Sequence, residues 1–230
     1  MATAPVVTVD GPGGAGKGTI ARAVARRLGW HFLDSGAIYR LLALASLRSR
    51  TAADDLAALD AQARALDIAF PTHGANADEV MLDGDTVTAA IREEACGERA
   101  SVLAALPIVR AALLERQRAF RGPPGLVADG RDMGTVVFPD AEVKVFLTAS
   151  VEERARRRHK QLMEQGVSAN LAGLLEELRA RDERDMNRPV APLKPAEDAI
   201  TIDSTGMAID AVINRVLALV HERCGTTGAE

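Results

Sequence analysis

The sequence predicts an α/β fold in which helices cover both faces of a parallel sheet, with a small β-containing insertion. Short apolar segments alternate with stretches of helical periodicity over most of the 230 residues, which is typical of parallel α/β sheets. Glycines directly follow the first apolar segment and separate it from an amphipathic helix. Between residues 63 and 105 this alternation stops, and the dipeptide Asp83-Gly84 is a strong hairpin signal there.

The spacing of apolar residues predicts each element in turn. Pro5 to Asp10 is a short apolar strand, and the helix that follows its glycines ends at Gly29. Pro107 can begin a helix, whose apolar residues repeat up to Gly122. Further strands are predicted at residues 30–33, 126–128, 143–147 and 199–202, and a last helix carries apolar residues from 209 to 220.

The insertion divides the predicted core into two segments. Residues 66–70 and 80–88 are expected to form its antiparallel strands. The glycine-rich loop belongs to the first core segment. The resulting organisation is a core segment at residues 1–62, the insertion at 63–105 and a second core segment at 106–230.

Composition and charge restrict the function before any motif is considered. The chain is 47% hydrophobic and 26% charged, as globular proteins are, and its formal net charge is −4. This negative charge argues against a nucleic-acid polymer as a partner. Cys96 and Cys224 fit no zinc pattern, and neither a secretion signal nor an apolar run of ~18 residues is present. We expect a soluble cytoplasmic monomer that does not bind a membrane.

The glycine-rich loop between the first strand and the first helix predicts a nucleoside triphosphate site. Its spacing is G-x-x-x-x-G-K, followed by a glycine and a hydroxyl residue. Backbone N–H groups of such a loop surround phosphate oxygens, Lys17 can reach the β- and γ-phosphates, and Thr19 can hold Mg²⁺. The chain lacks the N/T-K-x-D element of a GTPase. The predicted ATP-binding residues are Gly11, Pro12, Gly13, Gly14, Ala15, Gly16, Lys17, Gly18 and Thr19.

Three further segments identify a family when they are taken together with this loop. They are Leu33–Arg40, Ala128–Pro139 and Arg181–Arg188. With the loop ending Gly-Lys-Gly-Thr, they resemble the bacterial cytidylate kinases from about Val6 to Asp203. The resemblance implies the P-loop kinase fold and an insertion that binds the nucleoside monophosphate. It also implies transfer of the γ-phosphoryl group of ATP to CMP or dCMP.

The resemblance assigns an acceptor site whose chemistry suits cytosine. Cytosine presents an amino donor beside ring acceptors, so a carboxylate and an arginine together favour it over uracil. The resemblance gives these base contacts to Asp132, Ser101 and Arg110. It implies that the CMP-binding residues are Ser35, Arg40, Ser101, Arg110, Arg131, Asp132, Arg181, Asp185 and Arg188.

One predicted helix carries several of these acceptor residues. Four polar residues lie at i, i+3, i+4 and i+7 and therefore share a helix face: Arg181, Arg184, Asp185 and Arg188. Pro189 requires this helix to end by Arg188. A solvated face on which Arg181 simply pairs with Asp185 is the alternative. By resemblance, Asp185 binds the sugar hydroxyls and Arg188 binds phosphate.

The expected catalytic residues are those that can hold phosphates. Phosphoryl transfer needs two phosphates in line and neutralisation of developing charge, with little covalent chemistry. We expect Lys17, Arg131 and Arg188 to be catalytic and Mg²⁺ to be the cofactor. Asp129 ends an apolar strand, where it either orients Mg²⁺-bound waters beside Thr19 or caps a turn.

A basic segment predicts a lid at about residues 155–188. From residue 154 to residue 188 the chain carries nine basic and six acidic residues, a local charge of +3. Arg158 is the expected contact to the ATP phosphates, whereas Arg156 and Arg157 fit a solvated helix surface. Gln165–Asn170 offers the flexibility that lid closure needs, and closure would exclude water from the reaction.

Two other functions stay open at this point. One is another small-molecule kinase of the same fold, such as a UMP, AMP or shikimate kinase. The other is a nucleotide-switched binding protein, which would use ATP without any acceptor. The arginines expected to bind acceptor phosphate, at positions 40, 131 and 188, argue against this second function.

Overall fold

The computed structural model describes residues 3–164, 166, 168–188 and 190–225. The strands are β1 (Val6–Asp10), β2 (His31–Asp34), β3 (Ile68–Ala69), β4 (Met81–Leu82), β5 (Asp85–Thr86), β6 (Leu126–Gly130), β7 (Val143–Thr148) and β8 (Ile200–Asp203). The helices are α1 (Lys17–Leu28), α2 (Ser35–Arg48), α3 (Leu56–Ala65), α4 (Glu94–Ala104), α5 (Pro107–Arg118), α6 (Val151–Glu164), α7 (Leu171–Asn187) and α8 (Ile209–Cys224).

Two compact units divide the chain. The first contains residues 1–4 and 25–126, and the second contains residues 5–24 and the chain from residue 127 onward. The phosphate loop, α6 and α7 therefore belong to the second unit, whereas the hairpin and helices α2 to α5 belong to the first.

The second unit is built on parallel strands. Among its described residues, the strands lie in the order β6, β1, β7 and β8. Both β1–β7 and β7–β8 pair in parallel, and the first register places Val7 opposite Val143 and Asp10 opposite Phe146. All five residues of β1 are buried, and so are all five of β6. Continuous burial of this kind is typical of strands covered on both faces, and the predicted α/β fold is confirmed.

The first unit contains the predicted hairpin. Strands β3, β4 and β5 form an antiparallel sheet in that order. Asp83 and Gly84 connect β4 to β5 with φ angles of 53° and 82°, as a turn with two left-handed residues requires. Helix α2 packs against α4, and α3 packs against α5. The hairpin prediction is confirmed, although each strand has only two residues.

The C-terminal end of α7 corrects one sequence expectation. The helix ends at Asn187, and Arg188 has an extended backbone with φ −64° and ψ 139°. Arg188 therefore does not share the α7 face with Arg181 and Asp185. The reason is that a residue before proline is sterically disfavoured in the helical conformation. In the predicted lid segment, Gln165 and Val167 lie outside the described residues.

No helix within the described part of the chain has the length and apolarity that a membrane span needs.

Candidate active site

The phosphate loop connects the end of β1 to the start of α1. Gly11 has a φ of 147°, and a Cβ at this position would stand 1.9 Å from the carbonyl oxygen of Leu147. Gly14 has a φ of 78°, in the left-handed region that favours glycine. The loop thus turns tightly against β7 and reaches a helix N-terminus, where backbone N–H groups and the helix dipole favour anions.

Lys17 is the first residue of α1, and its side chain folds back over the loop. Its Nζ donates a hydrogen bond to the carbonyl oxygen of Pro12 at 3.0 Å and lies 4.0 Å from Asp129 Oδ1. The Lys17 side chain is 10% exposed and that of Asp129 12% exposed. The predicted lysine therefore stands at the loop with a carboxylate beside it.

Asp129 approaches the loop closely at Gly18. A Cβ at residue 18 would lie 3.2 Å from Asp129 Oδ2, which is tighter than ordinary van der Waals contact. Glycine at this position allows the carboxylate to sit against the first turn of α1. The role of Asp129 at the nucleotide stays a prediction.

The Asp129 carboxylate and the Thr19 hydroxyl fit the Mg²⁺ that the resemblance implies. Protein sites for Mg²⁺ with nucleotides supply one or two oxygens and leave the remaining positions to water and phosphate. The contact of Asp129 with Gly18 places one such oxygen at the loop. Among the residues that the structure describes, no group of three or more His, Cys, Asp or Glu side chains is arranged to hold a metal ion. A site completed by phosphate oxygens matches this donor set.

Asp10 is a site residue that the sequence analysis missed. Its Oδ1 accepts a hydrogen bond from the N–H of Met133, and its Oδ2 accepts one from the N–H of Gly134, both at 2.8 Å. These two bonds fix the residues directly after Arg131 and Asp132 to the end of β1. Burial raises the pKa of Asp10 from 3.8 to about 6 and outweighs the two N–H bonds and Lys17, which lower it.

The raised pKa of Asp10 leads to a pH-dependent stability. Because the folded protein holds this proton more tightly than the unfolded chain, the contribution of Asp10 is full below pH ~4 and is lost as pH rises through ~6. A shift from 3.8 to about 6 corresponds to a decrease in unfolding free energy of up to about 3 kcal/mol. Urea unfolding of the wild type and Asp10→Asn from pH 4 to pH 7 measures it.

The difference in unfolding free energy between wild type and Asp10→Asn is the informative quantity, since titrating groups that do not interact with Asp10 cancel in it. We expect this difference to become less favourable to the wild type as pH rises. A difference that stays constant over this pH range would contradict the assignment.

Four predicted acceptor residues meet in two pairs within the second unit. Arg131, just after β6, donates from Nε to Asp185 Oδ2 on α7, and the two side chains are 19% and 17% exposed. Arg188 Nη2 lies 4.0 Å from Asp132 Oδ2. These pairs link the segment after β6 to the end of α7. Arg181 lies at the loop as well, because a Cβ on Gly13 would stand 3.7 Å from its guanidinium carbon.

Helix α6 presents two arginines to the loop that the sequence analysis did not assign to it. Arg154 Nη1 donates to the carbonyl oxygen of Gly13 at 2.9 Å. Arg157 donates to the carbonyl oxygen of Ala15 at 3.3 Å and to that of Ser204 at 2.7 Å. Arg158, the expected ATP-phosphate contact, is exposed and donates to Gln161 Oε1 at 3.0 Å. Its role stays a prediction.

The first unit contains the other predicted acceptor residues. Ser35 is buried at the start of α2, and Arg110 is partly exposed on α5. Arg40 Nη1 donates to the carbonyl oxygen of Ile91 at 2.8 Å, and a Cβ on Gly97 would stand 3.2 Å from that Nη1. Ser101 Oγ donates to the Gly97 carbonyl oxygen at 3.1 Å. The structure thus brings Arg40 and Ser101 to the same turn of α4, where Gly97 leaves room for the guanidinium.

Sequence comparisons match nearly the whole chain. The family model described as cytidylate kinase matches residues 7–222. A cytidylate kinase from Aeromonas salmonicida (strain A449) is 57% identical over 226 residues, which cover 98% of this chain and 98% of the relative. A cytidylate kinase from Stutzerimonas stutzeri (strain A1501) is 58% identical over 223 residues, covering 95% of this chain and 96% of the relative.

A solved structure shares the fold at low sequence identity. An uncharacterised protein from Eubacterium ventriosum ATCC 27560 superposes with a TM-score of 0.53 and is 10% identical. The match covers 95% of this chain and 99% of the other. At this identity the likeness concerns the fold alone.

Proposed function

Since the chain belongs to the cytidylate kinase family, we propose that it transfers the γ-phosphoryl group of ATP to CMP or dCMP. The products are ADP and the corresponding diphosphate, CDP or dCDP. One observation carries the proposal: a single compact unit contains the phosphate loop and two linked acid–arginine pairs. A loop that holds ATP and side chains that suit a second nucleotide are what a nucleotide kinase needs.

The donor nucleotide binds at the phosphate loop. Backbone N–H groups of the loop and the N-terminus of α1 face the phosphate oxygens. Lys17 moves its ammonium group from the Pro12 carbonyl, 3.0 Å away, to the β- and γ-phosphates. Its compact charge then offsets the negative charge that shifts between these groups during transfer.

The acceptor phosphate binds to Arg131 and Arg188. Two guanidinium groups offset the repulsion between the donor and acceptor phosphates, and each can contact phosphate through two parallel N–H groups. Asp185 accepts hydrogen bonds from the sugar hydroxyls and Arg181 contacts the same nucleotide. Because Arg131 donates to Asp185, the phosphate contact and the sugar contact are held in a fixed relation.

The base is selected by a hydrogen-bond acceptor. Asp132 accepts from the amino group of cytosine, whereas uracil offers a carbonyl oxygen at that position and would be repelled. The residues of the first unit keep the CMP-binding roles that the resemblance assigns: Ser35, Arg40, Ser101 and Arg110.

Transfer then proceeds directly from one phosphate to the other, with no covalent intermediate on the protein. The residues supply position and charge, which is the larger part of catalysis for this reaction. When bound, Mg²⁺ neutralises charge on the donor phosphates. Thr19 would hold it directly and Asp129 would hold it through water.

A coupled assay that follows ADP release tests the substrate. ATP with Mg²⁺ is supplied together with CMP, dCMP, UMP, AMP or shikimate, one acceptor at a time. The proposal expects the highest kcat/KM with CMP or dCMP. Preference for UMP, AMP or shikimate would overturn it, since those acceptors correspond to the other small-molecule kinases of this fold.

A further inference from the structure

Arg154 is a buried arginine whose side chain contacts the backbone of the phosphate loop. It is 4% exposed, although it lies on α6 among other, more exposed arginines. Its Nε donates to the carbonyl oxygen of Ala149 at 3.1 Å, and its Nη1 donates to that of Gly13 at 2.9 Å. Nη1 and Nη2 also donate to the two carboxylate oxygens of Asp182 on α7.

The buried guanidinium of Arg154 needs hydrogen-bond acceptors and an opposite charge, and the structure provides both. A charged side chain removed from water is strongly unfavourable unless it is paired and hydrogen-bonded. Asp182 meets the guanidinium with both oxygens, a geometry that fixes direction as well as distance. Nε and Nη1 also donate to backbone carbonyls, those of Ala149 before α6 and of Gly13 in the loop. Lysine has a single ammonium group and could not serve three separate elements in this way.

The Gly13 carbonyl connects this cluster to the ATP site. Gly13 lies inside the phosphate loop, and a Cβ on the next residue, Gly14, would stand 3.3 Å from Arg154 Cβ. The backbone of the loop therefore rests directly on α6. Holding the carbonyl of one peptide fixes the direction of its N–H, which belongs to Gly14. In this way a side chain that does not face the phosphates can determine where the loop N–H groups point.

Asp182 connects the same cluster to α7. It follows Arg181, whose guanidinium carbon would lie 3.7 Å from a Cβ on Gly13. Asp185, one turn later, is paired with Arg131. The loop that holds ATP and the helix that carries acceptor residues thus share one buried arginine.

We propose that Arg154 is a positioning residue that fixes the Gly13–Gly14 peptide of the phosphate loop. This inference rests on the proposed function, because its effect on kcat is measured as phosphoryl transfer to CMP. Arg154 acts through the loop backbone, while its ion pair with Asp182 anchors it to α7. The bond to the Gly13 carbonyl governs ATP binding and turnover, and the ion pair contributes to stability.

Two matched variants separate these contributions. Arg154→Met and Asp182→Asn both remove the ion pair, but only Arg154→Met also removes the donor to Gly13. Thermal unfolding is followed by circular dichroism, and kcat and KM are measured where each variant is fully folded. We expect the midpoint temperature of thermal unfolding to fall in both variants. We expect kcat to fall by at least ~10-fold more in Arg154→Met than in Asp182→Asn, while KM for CMP changes by less than ~3-fold in either.

Equal losses of kcat in the two variants would overturn the proposal, because the ion pair alone would then explain them. Should Arg154→Met fail to fold, Arg154→Lys replaces it, since it keeps a charge opposite Asp182. Arg154→Lys is expected to recover the unfolding midpoint without recovering kcat. Joint recovery of the midpoint and kcat would overturn the proposal.

Calorimetric titration with ATP and Mg²⁺ distinguishes this proposal from the proposed function. Should the wild type transfer nothing to CMP or dCMP, the proposed function fails while loop positioning is still measurable. We then expect the Kd for ATP to be at least ~10-fold higher in Arg154→Met than in Asp182→Asn. Equal Kd values would overturn the positioning role independently of the substrate.

Discussion

Replacement of Lys17 by alanine is expected to lower kcat by about 10²–10³-fold at saturating ATP and CMP, as loss of one charged group at a transferring phosphate does. Lys17 is the first residue of α1, and its Nζ already lies at the loop, 3.0 Å from the Pro12 carbonyl oxygen. Alanine leaves the loop backbone in place but removes the positive charge from the γ-phosphate. The coupled assay measures the loss.

Lys160→Ala is the matched control for this experiment. Lys160 lies on α6, its side chain is 79% exposed, and it faces Glu164 at 3.9 Å. Exposed pairs of this kind contribute little to stability, so kcat should stay near the wild-type value. Near-normal turnover in Lys17→Ala itself would mean that the loop does not hold the transferred phosphate.

Replacement of Asp132 by alanine is expected to raise KM for CMP by about 10–100-fold, the effect of one charge-assisted hydrogen bond. KM for ATP should change little, because Asp132 is proposed to contact the acceptor base and not the donor nucleotide. The Arg188 guanidinium, 4.0 Å from Asp132, loses its neighbour in the same variant, so phosphate contacts weaken together with base contacts. Steady-state kinetics with each substrate varied in turn measures both constants.

The ratio of kcat/KM for CMP to that for UMP isolates base selection from phosphate binding. The proposed contact of Arg188 to phosphate is the same for both acceptors, so its displacement cancels in this ratio. We expect Asp132→Ala to reduce the ratio strongly, whereas Asp85→Ala, at an exposed hairpin residue, should leave it unchanged. Equal losses for ATP and CMP would contradict base recognition by Asp132.

Local chemistry explains why much of the fold could be predicted from the sequence. Pro107 begins α5 as expected, Gly29 follows the end of α1, and Asp83 and Gly84 turn the hairpin. Each of these residues has a conformational preference that acts within a few neighbours. The loop from Gly11 to Thr19 belongs to the same group, because its spacing and position between strand and helix are properties of contiguous sequence.

Which arginines of α6 contact the phosphate loop could not be predicted from the sequence. Arg154, Arg156, Arg157 and Arg158 are chemically alike, and Arg158 was the expected phosphate contact. In the structure Arg154 is buried and Arg157 reaches the loop carbonyl of Ala15. Charged residues are rarely buried, and which helix face turns inward depends on packing against a loop about 140 residues earlier. The helical wheel of α6 places Arg158 nearer than Arg154 to the apolar Val151 and Ala155, so it does not indicate that Arg154 is the buried arginine.

The contacts of Asp10 and the Arg131–Asp185 pair likewise join residues that are far apart in the sequence. Asp10 accepts from backbone N–H groups 123 and 124 residues away, and no local pattern marks an aspartate that ends a strand as such an acceptor. Arg131 and Asp185 are 54 residues apart. No local pattern in the sequence indicates Arg131 as the partner of Asp185, because only the fold brings the segment after β6 to α7.

Transfer of radiolabel from [γ-³²P]ATP tests the phosphoryl-transfer proposal most directly. The protein is incubated with labelled ATP and Mg²⁺, with and without CMP, and the products are separated by chromatography. Direct transfer predicts that label enters CDP in a one-to-one ratio with the ADP formed, and that little inorganic phosphate appears. Label released only as inorganic phosphate, at a rate that CMP does not change, would contradict the proposal and indicate a nucleotide-switched binding protein.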